Sequence, residues 1–276
     1  MILQCAQRSL DLHKPQLMGI LNTTPDSFSD GGLFTQIDAA LAQVEQMIND
    51  GAAIIDIGGE STRPGAADVS EKDELQRTIP LLKAIKSRFD VLVSIDTSKA
   101  AVMAQSLEHN VDIINDVRAL QNTGCLSIAA QSDIPICLMH MQGLPRTMQS
   151  APEYNNVIDD ISLFFEQRIA QCVDSGISRE RIILDPGFGF GKTLEQNYHL
   201  LANLSAFSAF NLPVLSGTSR KSMIGNLLHC PPQQRLAGSL ATALLAAQQG
   251  AHIIRVHDVK ETVDTLAVLT ATQHNL

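Results

Sequence analysis

One pattern recurs eight times along the chain and limits its fold more than any other feature. A short apolar, mostly β-branched run is followed by a polar or Gly-rich turn and then by an amphipathic stretch at helical spacing. The strand-like runs are Leu17–Leu21, Ala53–Ile57, Val91–Ile95, Asp112–Ile114, Ile134–Met139, Arg181–Leu184, Pro213–Leu215 and His252–Val256. The helical stretches are Thr35–Asp50, Ser70–Phe89, Ser98–His109, Gly124–Gln131, Asn156–Ser175, Leu194–Phe207, Pro231–Gln249 and Val259–Thr272. Near-continuous apolar strands are buried on both faces, as in a parallel sheet. Strands alternating with helices make βαβ units. Eight such units in about 250 residues predict an α/β fold, a single-domain (β/α)8 TIM barrel. An open doubly wound sheet is the alternative, but it usually has fewer strands and one dominant Gly-rich first turn. Residues 1–16 are then a short N-terminal extension and 17–276 the barrel.

Composition narrows the partners. The 276 residues carry 29 acidic against 20 basic side chains, a formal charge of −9, with no basic stripe to meet phosphates, which argues against nucleic acid. The absence of Trp and only two Tyr point to an aliphatic core. Five widely spaced cysteines without a Cys-x-x-Cys pair read as reduced thiols of a cytoplasmic protein. Residues 1–10 lack the basic and apolar regions of a signal peptide. The two long stretches without charged residues, Gln196–Ser219 and Leu236–Ile254, are broken by Asn, Gln, Pro or Gly and do not read as membrane spans.

In a barrel the chemistry sits where the strands end. Those positions hold Asn22, Asp56, Asp96, Asn115, His140, Asp185, the Ser216–Lys221 segment, and Arg255 with His257. Caps account for single cases, such as Asp96 before Thr97 and Ser98, but caps need not all fall on one rim. Carboxylates beside a buried core are costly without partners. Asp96, Asn115 and Asp185 match a flat heterocycle presenting adjacent N–H and NH2 donors, such as a 2-amino-4-oxo-pyrimidine. Arg63, Lys221, Arg255 and His257 suit phosphate or carboxylate. The set predicts a polar aromatic base at the barrel centre with an anionic tail toward the rim.

Several signals are decoys. The run Asp185–Thr193 resembles a phosphate-binding P-loop, but the first required glycine falls on Pro186. It reads better as a tight turn whose glycines allow close approach to a ligand, with Phe190 offering its ring. No His pair has zinc-ligand spacing. Lys221 could serve as a Schiff-base lysine, yet Ser219, Arg220 and Ser222 around it look more like an anion clamp. The Gly/Pro/Ser-rich loops Asn22–Phe34 and Gly58–Val69 are candidate lids.

Met18–Gly32 (MGILNTTPDSFSDGG), Asp56–Gly65 (DIGGESTRPG) and Ser94–Ser98 resemble the signatures of the dihydropteroate synthases, pterin-binding enzymes of folate biosynthesis. Shorter matches follow at Ile114–Asp116, Asp185–Lys192, Ser216–Lys221 and Arg255–His257. The resemblance implies a transferase that joins (7,8-dihydropterin-6-yl)methyl diphosphate to 4-aminobenzoate, a sulfonamide target that uses Mg2+ and is usually a homodimer. Asp96, Asn115, Asp185 and Lys221 would hold the pterin, with Arg255 over its face, Met139 and Phe190 lining the pocket, and Asp56 a second pterin-side carboxylate. Asn22, Arg63, Arg255 and His257 would hold the diphosphate, Asn22 also being the metal-side residue. Phe28, Thr62, Arg63, Pro64 and Ser219 would frame the aminobenzoate. The implied catalytic group is Asn22, Arg63, Lys221, Arg255 and His257, acting in an SN1-like departure of diphosphate. The rival readings are a corrinoid-linked methyltetrahydrofolate methyltransferase, which should not need the Thr23–Gly32 and Ser61–Gly65 loops, and a non-catalytic pterin-binding protein. An aldolase of sugar phosphates is a distant third.

Overall fold

The structure, a computed structural model, describes residues 1–6, 8–23, 33–61, 66, 68–143 and 152–273, and of residues 33–36 the backbone alone. The chain opens with two short strands, β1 (Ile2–Cys5) and β2 (Arg8–Asp11), followed by β3 (Gln16–Asn22) and α1 (Leu33–Asn49). Next come β4 (Ile54–Gly58), α2 (Glu71–Arg88), β5 (Leu92–Asp96), α3 (Ala100–Glu108), β6 (Ile113–Asp116) and α4 (Cys125–Ala130). Then follow β7 (Ile136–Met139), α5 (Val157–Asp174), β8 (Ile182–Asp185) and α6 (Leu194–Ala202). The last elements are β9 (Leu215–Ser216), α7 (Ser222–Leu228), α8 (Leu236–Gln248), β10 (Ile253–Val256) and α9 (Val259–Gln273).

Eight parallel strands, β3 to β10, form one sheet in the order β8-β7-β6-β5-β4-β3-β10-β9. The remaining seam is closed by a parallel bridge between Leu184 and Val214, where Leu184 N donates to Pro213 O at 2.9 Å. This is the expected (β/α)8 barrel. Outward side chains such as Leu17, Ile55, Val93, Ile114 and Ile254 pack beneath the helices. Inward side chains Met18, Ile54, Leu92, Ile113, Cys137, Ile183, Leu215 and Ile253 fill the lower half of the barrel. Each fully buried aliphatic side chain contributes about 1.5–3 kcal/mol.

Three features differ from the sequence reading. Residues 1–16 include an antiparallel hairpin, with Ile2 opposite Asp11 and Cys5 opposite Arg8. Its Leu3, Cys5 and Leu10, together with Leu12, plug the N-terminal mouth. The expected helix Leu194–Phe207 ends at Ala202: Asn203 leaves helical geometry (φ −118°, ψ 21°), its Nδ2 donates to His199 O at 2.8 Å, and a 3-10 turn, Leu204–Phe210, follows. The stretch Pro231–Gln249 starts with a 3-10 turn, Pro232–Gln234, and becomes α-helical only at Leu236, and α7 appears where no helix was expected, stopped by His229 in the left-handed region (φ +51°). Among the described residues no helix is long and apolar enough to cross a membrane. All five cysteines are free thiols.

Candidate active site at the C-terminal mouth of the barrel

The alternation that sends Ile54, Ile113, Cys137, Ile183 and Ile253 into the barrel sends the residues two positions on into it as well. These are Asp56, Asn115, Met139, Asp185 and Arg255, joined by Asp96 at the end of β5. One floor therefore gathers three carboxylates, an amide and a guanidinium from five strands. Arg255 stands between two of the carboxylates. Its Nε donates to Asp56 Oδ2 at 2.6 Å and its Nη2 to Asp96 Oδ2 at 3.0 Å. Asn115 Nδ2 donates to Asp56 Oδ2 at 3.2 Å, while Asp56 Oδ1 is buried without a hydrogen-bond partner.

One guanidinium cannot balance two buried carboxylates. Asp96 carries the surplus: burial, opposed by Arg255 and reinforced by Asp56, Glu74 and Asp116, pushes its pKa up to about 8. Burial works against the Arg255 cation too, but Asp56 and Asp96 outweigh it and hold its pKa above the ordinary value. Asp185 is raised by burial against the pull of Lys221. Lys221 is lowered to about 8 by burial, with Asp185 opposing.

After β8 the turn Gly187–Gly191 bends across the mouth. Its three glycines have φ of +71°, +79° and +63°. A Cβ on Gly187 would stand 1.9 Å from His140 O, so no larger residue fits there. Asp185 Oδ1 accepts from Gly187 N at 2.8 Å. Lys221 Nζ donates to Phe188 O at 2.5 Å and sits 4.5 Å above the Phe190 ring. Phe190 packs with Met139, both buried, beside Val117 and Met141. The P-loop reading fails on structure as well as spacing: Lys192 is buried. The N-terminus of α6 is closed by a capping box between Thr193 and Gln196.

The rim carries the remaining polar groups. Ser219 Oγ shares a 3.0 Å hydrogen bond with His257 Nδ1 and accepts from His257 N at 3.2 Å. Asn22 lies over Gly58, where a Cβ would stand 3.5 Å from Asn22 Oδ1 and 4.0 Å from Asp96 Oδ2. Thr23 N and Oγ1 both donate to Gly58 O, at 2.9 and 3.1 Å. Phe28, Thr62, Arg63 and Pro64 lie outside the described residues.

A network that sequence reasoning missed braces the base of the second loop. Glu60 Oε1 accepts from Val69 N at 2.8 Å and Oε2 from Lys99 Nζ at 2.6 Å. Lys99 also bonds Glu74, a fully buried carboxylate that accepts from Thr97 Oγ1. In sequence Glu74 is indistinguishable from an ordinary acid in the first turn of a helix.

A three-carboxylate floor with an amide, flanked by cations and an aromatic ring, is suited to a flat, donor-rich heterocycle. The comparisons agree. Residues 18–257 match the family of pterin binding enzymes. The dihydropteroate synthase of Escherichia coli (strain K12) is 57% identical over 264 residues, covering 96% of this chain and 94% of that protein. The chain belongs to the dihydropteroate synthases. A Yersinia pestis dihydropteroate synthase, solved with a sulfonamide drug complex, superposes with a TM-score of 0.95 at 55% identity, covering 99% and 100% of the two chains. The Xanthomonas albilineans dihydropteroate synthase, in complex with 7,8-dihydropteroate, superposes with a TM-score of 0.90 at 42% identity, covering 99% of each. As a dihydropteroate synthase the chain is a transferase. Both rival enzyme readings, the corrinoid-linked methyltransferase and the aldolase, give way to this membership.

Proposed function

We propose that the C-terminal mouth joins (7,8-dihydropterin-6-yl)methyl diphosphate to 4-aminobenzoate, giving 7,8-dihydropteroate and diphosphate. The observation that carries this is the floor itself: Asp56, Asp96, Asn115 and Asp185 offer acceptors to ring N–H and NH2 groups, and Asp56 Oδ1 is an acceptor that no protein donor uses. Met139 and Phe190 supply the flat walls, and Lys221 and Arg255 the cations.

An arylamine is a weak nucleophile, so the path is SN1-like, with diphosphate leaving first. The pterin cation that remains draws Asp96 and Asp185 back into their ionised forms, which stabilise it. Arg255 and His257, with Arg63 and Asn22, hold the departing diphosphate, His257 being oriented by Ser219. Phe28, Thr62, Arg63 and Pro64 complete the aminobenzoate pocket with Ser219, and closed loops exclude the water that would capture the cation.

The donor set fits magnesium. Among the described residues no group of three His, Cys, Asp or Glu makes a ready cage. Mg2+ needs none, since it keeps waters and binds through one or two protein oxygens plus substrate phosphates. Asn22 Oδ1, beside Asp96, is such an oxygen. When bound, the ion neutralises charge on the leaving diphosphate.

The test is diphosphate release from the pterin substrate with and without 4-aminobenzoate. Release that needs both and is blocked by a sulfonamide is expected; release indifferent to 4-aminobenzoate sinks the reading. The reading extends to a cytoplasmic homodimer. Free cysteines support the first, and the exposed Leu227, Leu228, Leu236, Leu245 and Val268 on α7, α8 and α9 support the second. A monomer in sedimentation velocity would overturn the dimer.

A further inference from the structure

An ammonium that the reaction scheme does not use lies beneath the floor. Lys192 is 2% exposed and has no salt bridge among the described residues. Its Nζ donates to Gly187 O at 2.8 Å and Phe190 O at 3.2 Å, and lies 3.0 Å from His140 Nδ1. An ammonium has three N–H donors and no acceptor. Three acceptors face it here, so every donor is used only if the amine is protonated and His140 carries its own proton on Nε2. Burial pulls the Lys192 pKa down to about 7 against the attraction of Asp185, so the three acceptors are what favour the ammonium: a neutral amine would turn its lone pair on one of them. The imidazole is suited to this part: burial and the neighbouring Lys192 push the His140 pKa down to about 2, which keeps the ring neutral, and the Lys192 donor 3.0 Å from Nδ1 selects the tautomer protonated on Nε2. Its ring is wedged edge-on against Phe164, 5.0 Å between centroids.

Both carbonyls belong to the turn that shapes the pocket. Gly187 follows Asp185 by two residues and donates its N–H to that carboxylate; Phe190 presents its ring to Lys221. Other groups hold the same turn. Asn197 Oδ1 accepts from Gly189 N at 2.6 Å, and Tyr154 OH donates to Gly191 O at 2.8 Å. The turn is closed on itself by Phe190 N–H donating to Gly187 O at 3.2 Å, and Lys192 anchors both of those carbonyls, Gly187 O and Phe190 O, to one point below the floor.

We propose that Lys192 and His140 are positioning residues for pterin recognition: the ammonium, seated on the neutral imidazole, fixes the Gly187–Phe190 turn and thereby the Asp185 carboxylate and the Phe190 ring. The proposal rests on the reading of this floor as the pterin pocket.

The test compares Lys192→Met, His140→Leu and His140→Asn by calorimetric titration with the dihydropterin diphosphate, together with the KM for 4-aminobenzoate. Lys192→Met takes the ammonium from Phe190 O and His140 Nδ1 and leaves Gly187 O only the Phe190 N–H, while His140→Leu strands one N–H of the ammonium; each should weaken pterin binding about tenfold or more. The KM for 4-aminobenzoate should hold. His140→Asn places an acceptor near the Nδ1 position and should restore most of the affinity. A merely structural role would lower the melting temperature and leave the pterin affinity of the folded enzyme intact, which overturns the proposal. Equal behaviour of His140→Leu and His140→Asn overturns it too, and decides the matter if Lys192→Met does not fold. Asp185→Asn separates the two readings. If that variant loses pterin binding while the Lys192 and His140 variants keep it, this proposal fails alone. If Asp185→Asn binds pterin normally, the pocket reading fails and takes this proposal with it.

Discussion

The two mouths of the barrel are built from the same strands, two residues apart, and have opposite chemistry. At the N-terminal mouth Ile54, Ile113, Ile183 and Ile253 meet Leu3, Leu10 and Leu12 of the N-terminal segment in a dry aliphatic plug. At the C-terminal mouth their neighbours Asp56, Asn115, Asp185 and Arg255 form a charged floor, where burial raises the pKa of Asp96 and Asp185. Burying those charges opposes folding, and the lower half offsets it. Catalytic charge can be concentrated at one end because the other end contains almost nothing but hydrocarbon. The net charge of −9 tells little about the partners: what would meet an anion is local, in Lys221, Arg255 and His257 at one mouth.

The sharpest way to break this comparison is Arg255→Ala. Removing the guanidinium leaves Asp56 and Asp96 facing each other without a counter-ion, which should cost about 3–5 kcal/mol of stability in denaturant unfolding. With magnesium saturating, kcat should also fall by about 10²–10³-fold. Unchanged turnover in the folded variant would show that the upper mouth is not the clamp on the leaving group.

Leu3→Ala probes the opposite mouth. It opens a cavity in the plug and should cost about 2–5 kcal/mol. The KM for both substrates should stay at the wild-type value, because the strand ends are held by the helices and by their own ladders. A shift in KM would mean that the two mouths are mechanically coupled.

The lower half was the easier to read from sequence, except for its plug. Strands buried on both faces leave long apolar runs, and all eight begin within two residues of where they were expected, although β9 is cut to Leu215–Ser216. The hairpin was missed because strands of four residues give too short an alternation to stand out. In the upper half the strand-end residues were legible because a polar side chain after an apolar run needs a reason. The roles of Lys192 and Glu74 were not. A lysine after a Gly-rich turn and a glutamate in the first turn of a helix are ordinary in sequence, and only folding shows that both are buried. Local pattern reports which face a residue is on, not what closes over it. The same limit applies at Phe28, Thr62, Arg63 and Pro64, whose parts are still carried by resemblance.

Ser219→Ala should produce the smallest effect and sharpens the comparison inside the upper mouth itself. Asp56 and Asp96, both buried, are held by the partly buried Arg255 guanidinium, whereas at the half-exposed rim His257 meets the neutral Ser219 hydroxyl. Removing a neutral hydroxyl leaves no unbalanced charge, whereas removing the cation between two buried carboxylates does. The loss should therefore be that of one ordinary hydrogen bond, about 1 kcal/mol, or roughly a fivefold fall in kcat/KM, with little change in melting temperature. Ser219→Thr keeps the hydroxyl and should keep most of the activity. A loss approaching that of Arg255→Ala would move His257 from holding the diphosphate to the centre of the chemistry, and the division between a charged floor and a neutral hydrogen-bonded rim would have to be redrawn.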